Sequence, residues 1–181
     1  MLKISIIFFY SLLILNANAD NKEKIINNLK NISNLKFEFE QNINGKIEYG
    51  NCTIEYPKKI YCLYENNNKI LVSNGKSLVI KTLSSYYRYP LEKTPLNLIL
   101  NKNFLIKKIN SLEEKIVDQS YINYTIAQNE NNIDIFFDLE TLNLIGWQTQ
   151  DIYQNKALTL LYSILVNQKI KKQLFKLPSQ N

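Results

Sequence analysis

The sequence predicts a mainly β fold: a curved antiparallel sheet with one apolar face, and helices able to cover it. Three observations lead there. Apolar and polar residues alternate with period two through much of 35–80, as in Leu35-Lys-Phe-Glu-Phe-Glu-Gln41. Asn44-Gly45 and Asn74-Gly75 interrupt that alternation, and Asn-Gly supplies the positive φ that tight hairpin turns need. Thr94-Pro95 then opens an apolar run containing Leu96, Leu98, Ile99 and Leu100. Alternation sends successive side chains to opposite faces of a strand, so one face collects the apolar set.

At the N-terminus Lys3 precedes an almost unbroken apolar run to Leu15, followed by Ala17-Asn18-Ala19. A charged start, a short apolar core and an Ala-x-Ala site predict a secretory signal peptide over 1–19, cleaved before Asp20. The run is shorter than the roughly 20 residues a spanning helix requires. Residues 20–181 then read as one domain, since no linker-like stretch divides them. Asp20 or Asn21 is placed to cap a helix over 22–32, with Ile25, Ile26, Leu29 and Ile32 on one face.

Strands are expected over 35–41, 47–49, 53–57, 60–64, 69–73, 76–80 and 86–89. The apolar set changes phase between Tyr49 and Cys52, which predicts a bulge at Gly50. Thr94 is expected to cap a short helix with Pro95 at its first position, and a second short helix is expected over 104–109. Strands resume at 114–118, 122–127, 133–138, 144–151 and 156–164, with a last one at 174–177. The inward apolar candidates, expected to line a cavity or fill a core, are Leu35, Phe37, Phe39, Tyr49, Ile54, Ile60, Tyr64, Leu78, Ile80, Phe137 and Trp147. Ile47 belongs with them by phase. A curved sheet facing short helices leaves space between them, a natural apolar cavity.

Cys52 and Cys62 are the two cysteines. An even count in an exported chain favours a disulfide, and a turn centred on Pro57 sets the two opposite one another; free buried thiols are the alternative. The chain has no histidine, which removes Ser-His and Cys-His nucleophiles and most zinc sites. Glu38 with Glu40, and Glu113 with Glu114, read as solvated carboxylates, and four glycines form no phosphate-binding loop. Neither an enzyme nor a cofactor or metal is expected. Net charge is +6, but the lysines are scattered and export argues against nucleic acid.

In order and spacing, Phe39-Glu40-Gln41, Tyr56-Pro57, Leu71-Val72-Ser73-Asn74-Gly75-Lys76, Thr94-Pro95-Leu96 and Phe175-Lys176-Leu177-Pro178 resemble the periplasmic outer-membrane lipoprotein carrier family, LolA. The resemblance spans nearly all of 20–181. It implies an incomplete antiparallel β-barrel with a helical lid of Pro95, Leu96, Leu98, Ile99 and Leu100, the last four forming its inner face. It implies a monomeric periplasmic chaperone that carries lipoprotein acyl chains from the inner to the outer membrane. The partners so implied are acylated lipoproteins, an inner-membrane ABC-type lipoprotein release complex, and an outer-membrane acceptor or the membrane surface. Lys58, Lys59, Lys69 and Arg88 are candidate rim residues for those partners. A lipid-binding or envelope-stress sensing module on the same fold is the alternative. Where the family places a lid-latching arginine, this chain has Tyr56, whose phenol has one donor in place of five and no charge.

Overall fold

The computed structural model describes residues 20–65, 68–128, 131–150 and 155–180; the expected signal peptide at 1–19 lies outside them. The chain opens with helix α1, Asn21–Asn31, which buries Ile25, Ile26 and Leu29. Six strands follow: β1 Asn34–Ile43, β2 Lys46–Glu55, β3 Lys59–Tyr64, β4 Ile70–Asn74, β5 Ser77–Lys81 and β6 Tyr86–Pro90. A 3-10 turn at Leu91–Lys93, the one-turn helix α2 at Leu96–Ile99 and the helix α3 at Lys102–Ser111 interrupt the sheet. It resumes with β7 Lys115–Val117, β8 Tyr121–Gln128, β9 Asn131–Asp138, β10 Leu144–Gln150 and β11 Lys156–Val166.

All eleven strands form one antiparallel sheet in the order β6-β5-β4-β3-β2-β1-β11-β10-β9-β8-β7. It is curved and does not close. Its two edges, β6 and β7, are consecutive strands in sequence, so the segment joining them carries both lid helices past the open side. Ile99, Leu100, Leu105 and Ile109 pack into the same core as Phe37, Ile54, Tyr124 and Phe137. The helices therefore plug the half-barrel. No helix among the described residues is long and apolar enough to cross a membrane.

Gly50 corrects the sequence reading. The β1–β2 register runs unbroken from Asn34 opposite Glu55 to Ile43 opposite Lys46, so no bulge lies there. Strict alternation along β2 turns Glu48, Gly50, Cys52 and Ile54 inward and sends Ile47 and Tyr49 to the convex side, where they are 47% and 46% exposed. Tyr49 is thus not a lining residue. A Cβ on Gly50 would collide with the Leu63 carbonyl oxygen and stand 2.8 Å from the Phe39 ring. Glycine is needed here for close packing rather than for a phase change.

Two further expectations change. Thr94 does not cap α2; its hydroxyl donates back to the Leu91 carbonyl at 2.8 Å and closes the preceding turn. The strand expected at 174–177 does not form. The described chain beyond β11 leaves a strand already paired on both sides, by β1 and β10, so it has no free edge there and crosses the outer face instead. Phe175 lies under the Lys59 ammonium at 5.7 Å, the Tyr86 hydroxyl donates to the Pro178 carbonyl, and Lys81 donates to the Ser179 carbonyl at 2.8 Å. Val72 and Val79, paired across β4 and β5, are almost fully buried although they are absent from the inner core cluster. The C-terminal strap crosses the same outer face, from Lys59 to Lys81 and Tyr86.

Candidate ligand cavity

Period-two alternation on five neighbouring strands brings Phe39, Cys52, Ile60, Cys62, Tyr64, Leu71 and Leu78 to the concave side, where Trp147 joins them from β10. Together with Thr94, Pro95 and Leu96 of the lid segment, and Thr149 and Gln150 of β10, they line an open-mouthed cavity of about 200 Å³. Leu35, Phe37, Ile54 and Phe137, expected beside them, are buried in the adjoining core cluster and are not among the cavity-lining residues. Ile80 shares the inner face with Leu78 and is half-buried. Two aromatic pairs meet edge to face: Phe39 against Tyr64 in the wall at 4.9 Å, and Phe37 of the adjoining core against Trp147 at 6.3 Å between ring centroids. Such edge-to-face pairs suit the ring quadrupoles. Cys52 and Cys62, directly opposed on β2 and β3, are joined by a disulfide that forms part of the wall.

One end of the cavity is polar. Register aligns Trp147, Thr159 and Gln41 across β10, β11 and β1. The Tyr64 hydroxyl donates to Gln41 Oε1 at 3.2 Å, and Gln41 Nε2 donates to Thr159 Oγ1 at 3.0 Å. Next to it Lys69 pairs with Glu48, Lys46 stands 3.3 Å from the same carboxylate, and the Lys69 ammonium lies 3.8 Å over the Tyr64 ring. Burial opposes ionisation of Glu48, but the two ammonium groups outweigh it and hold its carboxyl below the usual range. Burial, reinforced by the Glu48 charge, pushes the Tyr64 phenol well above the ordinary tyrosine range.

The lid is held from the opposite end. Lys58, at φ 68° in the β2–β3 turn, donates its backbone N–H to the Leu100 carbonyl at 2.9 Å. The buried Ser73 hydroxyl donates to the Lys58 carbonyl at 2.9 Å and accepts from the Gly75 N–H. Strand β4, the turn and the lid are therefore connected through Lys58. Ile99 and Leu100 are almost wholly buried, Leu98 is half-buried, and Pro95 and Leu96 face the cavity. Tyr56 occupies the expected latch position, but its buried hydroxyl has no hydrogen-bond partner among the described residues, and burial raises its pKa. The hydrogen bond seen to the lid comes from the backbone two residues further on. Lys102, at the start of α3, donates to the carbonyls of Lys30 and Ile32 at 3.1 and 2.7 Å. It places a cation where the C-terminal end of α1 carries partial negative charge.

Gln41, Leu71, Ser73, Lys102 and Thr159 were not singled out as site residues from the sequence. Of the candidate rim residues, Lys59 pairs with Glu55 at 2.7 Å and Arg88 donates to Ser77 Oγ. Glu38, exposed on the outer face, accepts from Ser163 at 3.1 Å. Among the described residues no three His, Cys, Asp or Glu side chains gather as metal ligands.

A curved, unclosed antiparallel sheet with an apolar cavity under short helices defines a binding-protein architecture. The profile of the family described as "Outer membrane lipoprotein carrier protein LolA" matches residues 18–178. The chain belongs to the LolA family. No curated protein matches it in sequence. Among solved structures, it is similar to an uncharacterized conserved protein from Thermus thermophilus, at 8% identity and a TM-score of 0.53, over 89% of this chain and 96% of that one. A LolA superfamily protein from Nitrosomonas europaea matches at 5% identity and a TM-score of 0.44, over 87% of this chain and 98% of that one.

Proposed function

We propose that this protein is a periplasmic carrier that shields the acyl chains of lipoproteins in its cavity and moves them from the inner to the outer membrane. The observation that carries the reading is the apolar cavity beneath a one-turn lid helix in a chain of this family. Each methylene taken out of water is worth about 0.8 kcal/mol, so acyl chains need continuous shelter to cross an aqueous space. The cavity, at about 200 Å³, is smaller than the ~300–1,000 Å³ of typical small-molecule sites. It suits the lid-closed state, and loading with more than part of one chain requires the lid to lift.

On this reading residues 1–19 direct export and are removed. Cargo comes from an inner-membrane ABC-type release complex, and delivery is to an outer-membrane acceptor or to the membrane surface. Binding and release are the whole task, with no bond made or broken. The test is to add the purified protein to spheroplasts that are synthesising lipoproteins. The proposal expects acylated lipoproteins to leave the membrane as soluble one-to-one complexes. Lipoproteins that stay membrane-bound would refute it, and extraction of free lipid alone would favour a lipid-binding or envelope-stress sensing module.

A further inference from the structure

We infer that the cavity has a carbonyl-binding end, formed by Gln41 and Thr159, that accepts the neutral ester or amide carbonyl oxygen of an acyl ligand. This deepens the carrier reading and rests on it. Both side chains line the cavity, and Thr159 is only 3% exposed. A polar pair at one end of a mainly apolar space fixes a ligand's orientation more than its affinity.

Donor accounting gives the chemistry. Tyr64, Gln41 and Thr159 bring four hydrogen-bond donors: one from each hydroxyl and two from the amide. Two hydrogen bonds, at 3.2 and 3.0 Å, connect the three side chains and use two of those donors. As oriented, the spare donors are one Gln41 N–H and the Thr159 hydroxyl; reversing the Gln41 amide reverses both bonds and moves the second spare donor to the Tyr64 hydroxyl, with the same count. Two donors therefore remain at this end under either assignment. Thr159 is buried and Gln41 half-buried; a donor left unpaired in such a place costs more than spare lone pairs on an oxygen, so the fitting ligand atom is an acceptor. The Lys69 ammonium, over the Tyr64 ring, is already paired with Glu48. The remaining donors are uncharged, which suits a neutral carbonyl better than a carboxylate.

The chain's single tryptophan, Trp147, lines the cavity beside Thr159, so its fluorescence reports occupancy directly. Titration with n-dodecane, methyl decanoate and decanoate compares ligands of similar size that differ at one end. One hydrogen bond corresponds to about a tenfold difference in affinity. Gln41→Leu and Thr159→Val should each lower the ester-to-alkane affinity ratio about tenfold from its wild-type value, the dodecane titration correcting for any change in cavity shape, and Thr159→Ser should keep the wild-type ratio; circular dichroism confirms that each variant is folded. A ratio unchanged by Gln41→Leu and Thr159→Val would overturn the carbonyl site. Preference for decanoate over its ester would overturn the neutral-carbonyl assignment. Failure of the wild-type protein to bind any of the three would instead remove the carrier reading beneath it.

Discussion

Ile99→Ala tests whether the lid is a separately opening element. Ile99 is 1% exposed and belongs to a helix of only four residues. Truncating a buried isoleucine to alanine costs roughly 2–5 kcal/mol, through lost burial and the cavity left behind. The substitution leaves the strand ladder intact, so the loss should appear in lid opening before it appears in global unfolding. At the lower bound, 2 kcal/mol raises the open population about 30-fold. The Lys58 amide is the natural reporter, because its acceptor is the Leu100 carbonyl at the end of the lid. Hydrogen exchange followed by NMR should show Lys58 exchanging at least about 30-fold faster in the variant. The amide of Ile54, in the central strand β2, should change far less. Equal acceleration at both amides would mean that lid and sheet open as one unit. No change at Lys58 would mean that Ile99 does not hold the lid.

Ser73→Ala removes the hydroxyl bonded to the Lys58 carbonyl and should lower stability by about 1–3 kcal/mol in urea unfolding, the cost of an unpaired buried polar group. Reducing the Cys52–Cys62 disulfide, which closes a loop of sequence separation 10, should cost about 2–3 kcal/mol in the same assay. Glu48 has its pKa lowered in the folded state by Lys69 and Lys46 against the effect of burial, so its contribution is present above the unfolded glutamate pKa. That contribution is lost as pH falls through the lower folded value. As pH falls below the unfolded glutamate pKa toward the lower folded value, unfolding free energy should therefore fall more steeply in the wild-type protein than in Glu48→Gln. Gly50→Ala should lower thermal stability and displace the Phe39 ring, since the new Cβ meets both that ring and the Leu63 carbonyl; circular dichroism and NMR shifts of Phe39 read the two effects.

The hairpins of β1 to β5 were legible because alternation and Asn-Gly turns are local signals. So was the short helix after Pro95, since Pro95 and a dense apolar run stand apart from the strands around them. Tyr49 was misplaced for a physical reason: an aromatic residue on the convex face of a sheet looks, in sequence, like one facing inward. Gly50 was read as a change of phase when its role is to admit the Phe39 ring. Gln41 and Thr159 carried no local signal. A glutamine at the end of an alternating strand reads as solvated, and its partner lies 118 residues away. The Lys58–Leu100 bond was invisible for a related reason, because a backbone N–H leaves no trace in residue type. At the C-terminus, Phe175 to Leu177 alternates like a strand but follows β11, whose two sides are already paired.

The central claim is that this cavity shelters the acyl chains of lipoproteins. Native mass spectrometry of the protein, purified from the periplasm of cells making lipoproteins, tests it most directly. The account predicts a bound species whose mass matches an acylated lipoprotein or its N-terminal acyl peptide, at one per chain, and loss of that species in Leu96→Glu, where a carboxylate would enter the apolar cavity unpaired. An empty protein from such cells, or a polar molecule bound in its place, would contradict it.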